Sequence, residues 1–471
     1  MEQTKNYKLN KPGQDDFYNV EDFNQNADIL DQALKELAEG DSDQYVSKTG
    51  DTMTGDLELS NPNTTLKHKL IIGNNDSGYA SIYAHDSDGG YSDLMIYAKR
   101  FYFPNQILVD NIATPTSDHH AATKKYVDDN AGGKRTCRFV VGTSTAGWTK
   151  KDCDYLCDGT DDQVEIQAAL DTLPSTGGEV VVLDGTYHIT ASINMNKRNV
   201  TLQGCGENTV LKRMFTNTAN TGVIEIYEIY CRVEGFYING NDYMNLGDVG
   251  IHAKQNAILT KNKINTLKVG ILLNVSHGSI ITDNYVYNCY NGIRLVSANY
   301  NLISNNKFSA NSGNGIINEA GYLNCITGNL CGGNNNGIYL YNGENNTITG
   351  NSCYLNKENG IFLYEKEVVI TGNQCSENTK YGIYAYGSSY ATDGAIVGNV
   401  CNDNVVGGIY ANGFVRNAIV GNTVYKQKTY EPNQYSIYIN GTNNLIANNM
   451  IWGKNYTNSG TGNTFVNNKY N

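Results

Sequence analysis

Residues 336–375 read NGIYLYNGENNTITGNSCYLNKENGIFLYEKEVVITGNQC. Two phrases each occur twice here: Asn-Gly-Ile-x-Leu, starting at Asn336 and Asn359, and Ile-Thr-Gly-Asn, ending at Asn351 and Asn373. Followed outward, the second phrase aligns on Asn262, Asn284, Asn306, Asn329, Asn351, Asn373, Asn399, Asn422, Asn449 and Asn468, at spacings of 22, 22, 23, 22, 22, 26, 23, 27 and 19 residues. The residue three before each asparagine is apolar: Leu259, Ile281, Ile303, Ile326, Ile348, Ile370, Ile396, Ile419, Ile446 and Phe465. Two residues after the first nine lies a second apolar column, Ile264, Val286, Phe308, Cys331, Cys353, Cys375, Cys401, Val424 and Ile451. The first phrase supplies a third, Ile251, Ile271, Ile293, Ile316, Ile338, Ile361, Ile383, Ile409 and Ile437, each after a glycine except Ile437, which follows Ser436.

Short strands that alternate in and out, bend at Asn and Gly, and repeat about every 22 residues predict a mainly β protein built as a parallel β-helix. No segment of this region carries a 3.6-residue period, which excludes a helical solenoid. The asparagines and glycines read as architecture: sharp bends need residues that tolerate positive φ, and stacked asparagines can satisfy buried amides from coil to coil. Cys331, Cys353, Cys375 and Cys401 fall in one stacked core site, where neighbouring coils are about 4.8 Å apart. They read as small apolar side chains, with metal or disulfide chemistry open to them but not required.

Composition removes other classes. With 49 Gly, 6 Pro and no three-residue glycine period, the chain is neither collagen nor proline-rich disorder. Charged residues are 17% and aromatics 10% of the 471 residues, with 35 Tyr, which is material for an ordered, half-polar surface. A net charge of −12 and the lack of a basic stripe in the sequence argue against nucleic acid. Met1 to Asn10 lacks the apolar core of a signal peptide, and no stretch approaches the ~18 apolar residues of a membrane span. The expectation is cytosolic synthesis without membrane insertion. The 11 cysteines show no C-x-x-C spacing and read as reduced thiols, with no metal and no cofactor expected. Cys153 and Cys157 could pair, but their short, helix-adjacent spacing favours free thiols.

Ahead of the coils, Asp158-Gly-Thr-Asp-Asp162 leads into a helix predicted over Gln163 to Leu173, with Ile166, Ala169, Leu170 and Leu173 on one face and Thr160 or Asp161 as cap. Gly177-Gly178, the strand from Glu179 to Ile189, and Asn199 to Gly204 follow. A helix here covers the open end of the apolar cylinder. From Asp158 through Gly204 and Gly206 this lead-in resembles that of the pectate-lyase-like superfamily, which implies a right-handed parallel β-helix over about Cys137 to Asn471. The superfamily's lyase chemistry wants a calcium cluster of acids and an arginine base. Arg232, Arg294 and Arg416 have no evident acidic cluster in the sequence, so no calcium-dependent lyase activity is expected.

Upstream, Val20, Phe23, Ala27, Leu30, Leu34 and Leu37 are spaced 3, 4, 3, 4 and 3. This is a coiled-coil seam opened by an Asn19/Asp22 cap, or one face of an amphipathic helix on a small domain. Tyr45 to Leu59 and Ala113 to Val127 resemble phrases common in phage tail fibres, and Asn6 to Asn26 resembles tail-proximal ends of tail proteins from phages and prophages of Gram-positive bacteria. The resemblance implies a tail fibre or tailspike of a phage or phage-like particle. It would be a homotrimer, made in the bacterial cytoplasm, attached to baseplate or tail proteins by its N-terminus, and touching a bacterial surface glycan. The expected organisation is an attachment segment with a coiled-coil helix over 1–45, a shaft over 46–134, a β-helix lead-in with capping helix over 135–205, and the β-helix over 206–471.

Outward positions of the Asn-Gly-Ile strands form an aromatic ladder: Tyr339 and Tyr341, Phe362 and Tyr364, Tyr384 and Tyr386, then Tyr410 and Tyr438. Glycan contact, packing against another subunit, and stacking between strands are all open for it. A depolymerase would need paired carboxylates roughly 5 to 9.5 Å apart. The candidates are Glu344 with Glu365 or Glu367, and Glu319 one coil earlier. Longer repeats place inserted loops at 387–394 and 426–434, making Tyr390, Asp393, Tyr430 and Glu431 further recognition candidates. The leading expectation is a structural, receptor-binding protein. A tailspike depolymerase and a cellular sugar-binding repeat protein are the alternatives.

Overall fold

The structure is a computed structural model. It describes residues 2–3, 10–11, 20–38, 69–74, 80–85, 91–92 and 136–470, apart from 217–219, 242–247, 388–391, 426–434 and 454–455. The chain divides into two compact units, Met1–Asp128 and Asp129–Asn471. In the first, helix α1 spans Val20–Ala38, where the seam predicts it. Ala27, Leu30 and Leu34 are all exposed on it. The side chains of Val20, Phe23 and Leu37 lie outside the described residues. The same unit holds an antiparallel hairpin, Lys69–Asn74 with Ala80–His85, extended by Tyr91–Ser92. No described helix is long and apolar enough to cross a membrane.

The second unit is a parallel β-helix whose three sheets contain 12, 15 and 13 strands. Each coil gives one strand to each sheet in turn. Ile338–Glu344 lies in the first, Thr347–Thr349 in the second and Ser352–Tyr354 in the third, and Ile361–Lys366 then returns to the first. Parallel pairing begins with Arg138–Thr143, which pairs with Gly178–Val182, and continues from Gly178–Val182 and Gly185–Ile189 into the following coils. Helix α2, Gln163–Thr172, buries Ile166, Ala169 and Leu170 against the first coils. Neither Thr160 nor Asp161 caps it: the residue before the helix is Asp162, whose carboxylate instead accepts the backbone N–H groups of Gly159 and His188 at 2.8 and 2.7 Å.

The three apolar columns form one continuous core, with every member buried except the partly buried Phe465 at the end. The four stacked cysteines pair in direct register, Cys331 with Cys353, Cys353 with Cys375, and Cys375 with Cys401. Phe308 precedes them in the column and Val424 follows, so the site takes a ring, a thiol or an isopropyl group alike. All the cysteines are free thiols.

The asparagines do more than permit the bends. From Asn262 to Asn468 each side-chain Nδ2 donates to the Oδ1 of the next, at 2.8–3.1 Å. That same Oδ1 accepts the backbone N–H of the preceding asparagine at 2.8–3.0 Å. Positive φ belongs instead to the residue just before each asparagine, among them Lys261, Asp283, Gly328, Gly350 and Gly372. A second ladder runs through Asn311, Asn334, Asn356, Asn378 and Asn404. A third runs through Asn301, Asn324 and Asn346, and resumes at Asn417, Asn444 and Asn463.

A buried donor left without its acceptor costs about 1–3 kcal/mol. Asn351 both accepts two donors from Asn329 and donates to Ile326, Thr349 and Asn373. Asn351→Ala is therefore expected to lower unfolding free energy by about 3 kcal/mol or more, measured by chemical denaturation. Val400→Thr, at an exposed outward strand position, should change it by less than about 0.5 kcal/mol.

Candidate functional site

Along the first sheet, the residues pointing away from the core form one column. Register carries it from Asn194 through Glu225, His252, Leu272, Arg294 and Ile317 to Tyr339, Phe362, Tyr384, Tyr410 and Tyr438. Successive rings, from Tyr339 to Tyr438, are 4.6, 5.3, 4.9 and 4.5 Å apart at interplanar angles of 9°, 18°, 2° and 6°. Tyr341, Tyr364 and Tyr386 make a looser parallel file at 5.3 and 6.0 Å. Flat side chains held at strand spacing leave no gap between them, so the rings cover one another's faces and turn edges outward. A flat stacking platform for sugars is thus not what the middle of the ladder offers. Two rings absent from the sequence-derived set, Tyr381 and Tyr435, lean on it from the strand starts: Tyr381 is 5.3 Å from Tyr384, and Tyr435 is 5.5 Å from Tyr438.

The file ends at Tyr339, whose next neighbour in the column is the ringless Ile317. There a cleft of about 530 Å³ opens, lined by Ile317, Glu319, Tyr339, Tyr341 and Glu358 with the amides of Asn314, Asn335 and Asn336. The Tyr339 phenol is pushed above its ordinary range, first by burial and then by Tyr341, Glu319 and Glu358. Two carboxylates from different coils therefore act on one ring. Glu319 is gripped by Arg294, whose Nε and Nη2 donate to it at 3.2 and 2.7 Å. Glu358 accepts from Lys380 at 2.8 Å. Glu358 was not among the expected carboxylates because it sits in the turn ahead of its strand, where alternation assigns no direction.

The other expected acids are placed differently. Glu344 pairs with Lys366 at 2.6 Å. Glu367 sits at a bend with φ of 56°. Glu365 faces the interior and is 1% exposed, so it cannot flank a ligand beside the ladder. Its Oε1 accepts from Asn318 at 2.8 Å and its Oε2 from Asn346 at 2.7 Å. In the third ladder Val368 stands where Asn346 needs its next acceptor, and Glu365 supplies one. Burial pushes its carboxyl up to about 7, against the opposing pull of the Asn346 and Asn318 amides and the backbone N–H groups of Gly343 and Tyr341.

Each of the three arginines meets a single acid: Arg232 with Glu234, Arg294 with Glu319, and Arg416 with Asp393. Arg213 is buried with Asp248 in a pair at 2.5 Å. Glu225 accepts from His252 and Lys254 at 3.2 and 2.8 Å. Asp393, from the first inserted loop, is the exposed partner of Arg416. Tyr390, Tyr430 and Glu431 lie outside the described residues. Among the described residues one thiol and acid group converges, Cys157, Asp162 and Glu165, with ligand atoms within 4.8 Å of one another.

The family model described as "Periplasmic copper-binding protein (NosD)" matches residues 174–321, 229–392 and 324–471 in overlapping spans. The chain belongs to the NosD family. No curated protein sequence matches it significantly. Among solved structures, this NosD-family chain shares its fold with the Dettilon tailspike protein gp208 at a TM-score of 0.53 and 18% identity, over 66% of each chain. The A-module of the Azotobacter vinelandii mannuronan C-5 epimerase AlgE4 matches at 0.53 and 19% identity, over 69% of this chain and 99% of that one. The catalytic domain of a GH87 α-1,3-glucanase in complex with tetrasaccharides matches at 0.52 and 17% identity, over 64% of each. The chain thus spans just under two thirds of the tailspike and of the glucanase.

Glu365 makes stability depend on pH. A carboxyl raised in the folded state contributes stability that is complete below its unfolded value near 4.5 and is lost as pH rises through about 7. Unfolding free energy should fall by about 3 kcal/mol between acid and mildly alkaline pH, and Glu365→Gln should flatten that fall in denaturation titrations.

Proposed function

We propose that the protein is a tail fibre or tailspike of a phage or phage-like particle that binds a bacterial surface glycan at the Tyr339 cleft. The observation carrying this reading is the cleft itself: the end ring of a rigid aromatic file bordered by amides and two carboxylates, a set suited to sugar hydroxyls and sugar faces. The fold shared with a tailspike and with two carbohydrate-active enzymes supports it, as do the tail-like phrases of the first 130 residues. The N-terminal unit attaches the protein to the tail and α1 assembles it as a homotrimer, with Leu30 and Leu34, 47% and 61% exposed in the single chain, buried between three copies.

Binding rather than cleavage is favoured by the placement of the acids. Glu319 and Glu358 are both engaged by cations. The carboxyl raised into the range useful to a general acid, Glu365, is on the interior side of the wall. Depolymerisation by Glu319 and Glu358 across the cleft is the second reading, motivated by their shared action on Tyr339.

The family description names copper, and the described residues do not fit it. Copper is held by thiolate, thioether or imidazole ligands. The converging group offers one thiol and two carboxylates, and both oxygens of Asp162 already accept backbone N–H groups. The stacked thiols lie within the dry column between Phe308 and Val424. Cys353, Cys375 and Cys401 are each held well above their ordinary range, first by hydrogen bonding to the cysteine of the preceding coil and also by burial.

Purified protein should bind host wall polysaccharide without releasing reducing ends, and Tyr339→Ala should weaken binding about tenfold. Release abolished by Glu319→Gln or Glu358→Gln would establish the depolymerase instead. Leu30→Glu with Leu34→Glu should reduce the particle to single-chain mass in light scattering. A thiol reagent should modify exposed Cys137 and Cys205 natively, but Cys331, Cys353, Cys375 and Cys401 only after unfolding.

A further inference from the structure

We infer that the third sheet carries a second binding site, for an acidic polysaccharide, centred on Lys263, Tyr285 and Lys307. One outward column of this sheet alternates ring and cation over four consecutive coils: Tyr237, Lys263, Tyr285 and Lys307. Lys263 Nζ lies 5.1 Å from the centre of the Tyr237 ring, and Lys307 Nζ lies 4.5 Å from that of Tyr285. Tyr287, in the adjacent outward column, stacks on Tyr285 at 4.7 Å, and its hydroxyl is 3.3 Å from that of Tyr237. At the corner beyond the same coils, Lys268 Nζ lies 3.6 Å from the ring centre of the exposed Tyr290.

The architecture does not require this arrangement. In later coils the same column holds Leu330, Ser352, Gln374, Val400, Thr423 and Met450, so the coils stack equally well with uncharged, ringless side chains. No run of basic residues marks the site in the sequence, because each coil contributes a single lysine to the column. The acids nearby are Glu207, which pairs with Lys263 at 2.7 Å, and Asp283 in the turn before Tyr285. In a chain of net charge −12, lysines held over rings form a local cationic platform with an apolar floor. Ammonium groups two coils apart are spaced about 10 Å along the stack axis. A linear polymer lying along that axis can place successive anionic groups on the lysines and its carbon skeleton on the tyrosines. The shared chemistry is a repeated anion on a sugar or polyol chain, whether uronate carboxylate or phosphodiester.

The test is binding of the full chain to polygalacturonate, to poly(glycerol phosphate), to neutral dextran and to single-stranded DNA, at low and high salt. Binding of at least one of the first two polymers, weakened by salt and reduced about tenfold by Lys263→Glu with Lys307→Glu, is the expected result, and which polymer binds identifies the anion. Lys307→Gln, at an exposed position, gives the same direction should the double variant fold poorly. Tyr339→Ala should leave this binding unchanged. The inference is overturned if neither polyanion binds, if dextran binds as well, if DNA binds more tightly than either, or if the lysine variants bind like the parent. Loss on Tyr339→Ala alone would assign the polymer to the first-sheet cleft, sinking this site while leaving the cleft reading intact.

Discussion

A chain wound into parallel coils brings a backbone N–H into a dry corner at every bend, and each must find an acceptor. The asparagine ladders meet that demand. One carboxamide accepts the N–H of the coil before it while its own NH₂ donates to the coil after it, so each residue's bonding depends on the presence of the next. This interaction fixes more than stability. It sets the coils in a register that cannot slip by one residue without breaking a whole file of hydrogen bonds, and that register aligns the surface columns.

The interruption of the third ladder shows the constraint from the other side. The Val368 side chain cannot accept, so Asn346 turns to Glu365, which follows the outward-facing Tyr364 and points to the opposite face of the strand. Space for the carboxylate comes from Gly343: a Cβ there would lie 2.6 Å from Glu365 Oε1 and 2.2 Å from the Gly321 carbonyl oxygen. The register shift between Tyr341 and Glu344 falls at the same place. A missing amide, a buried acid, a glycine and a bulge are one local solution.

Most of the fold was legible because its signal is repetition: an isoleucine recurring in nine coils leaves little freedom in where it points. The inward direction of Glu365 was legible too, since the alternation that puts Phe362 and Tyr364 outside puts Glu365 inside. The surface chemistry was less so. Glu358 precedes its strand, and Tyr381 and Tyr435 are the first residues of theirs, where alternation has little to anchor it. Face-to-face contact among the rings depends on spacing between coils rather than order within one. The lysine–tyrosine platform is dispersed over some seventy residues, from Tyr237 to Lys307, and becomes a cluster only through winding.

This separation of framework from surface gives the outward columns their independence. Moving along one column of the third sheet from Lys307 to Leu330 to Ser352 exchanges a cation for an alkyl group and then a hydroxyl, while the ladder keeps an asparagine in each coil and the core site beneath stays apolar, passing from Phe308 to Cys331 and Cys353. The first sheet shows the wider range. Its column passes from Glu225 and His252, buried in an ionic cluster at one end, through Arg294 to a stack of tyrosines at the other. An outward substitution in one coil leaves the ladder hydrogen bonds of that coil unaltered, so the surface can be changed coil by coil on one framework, and different faces of a single stack can carry different chemistry.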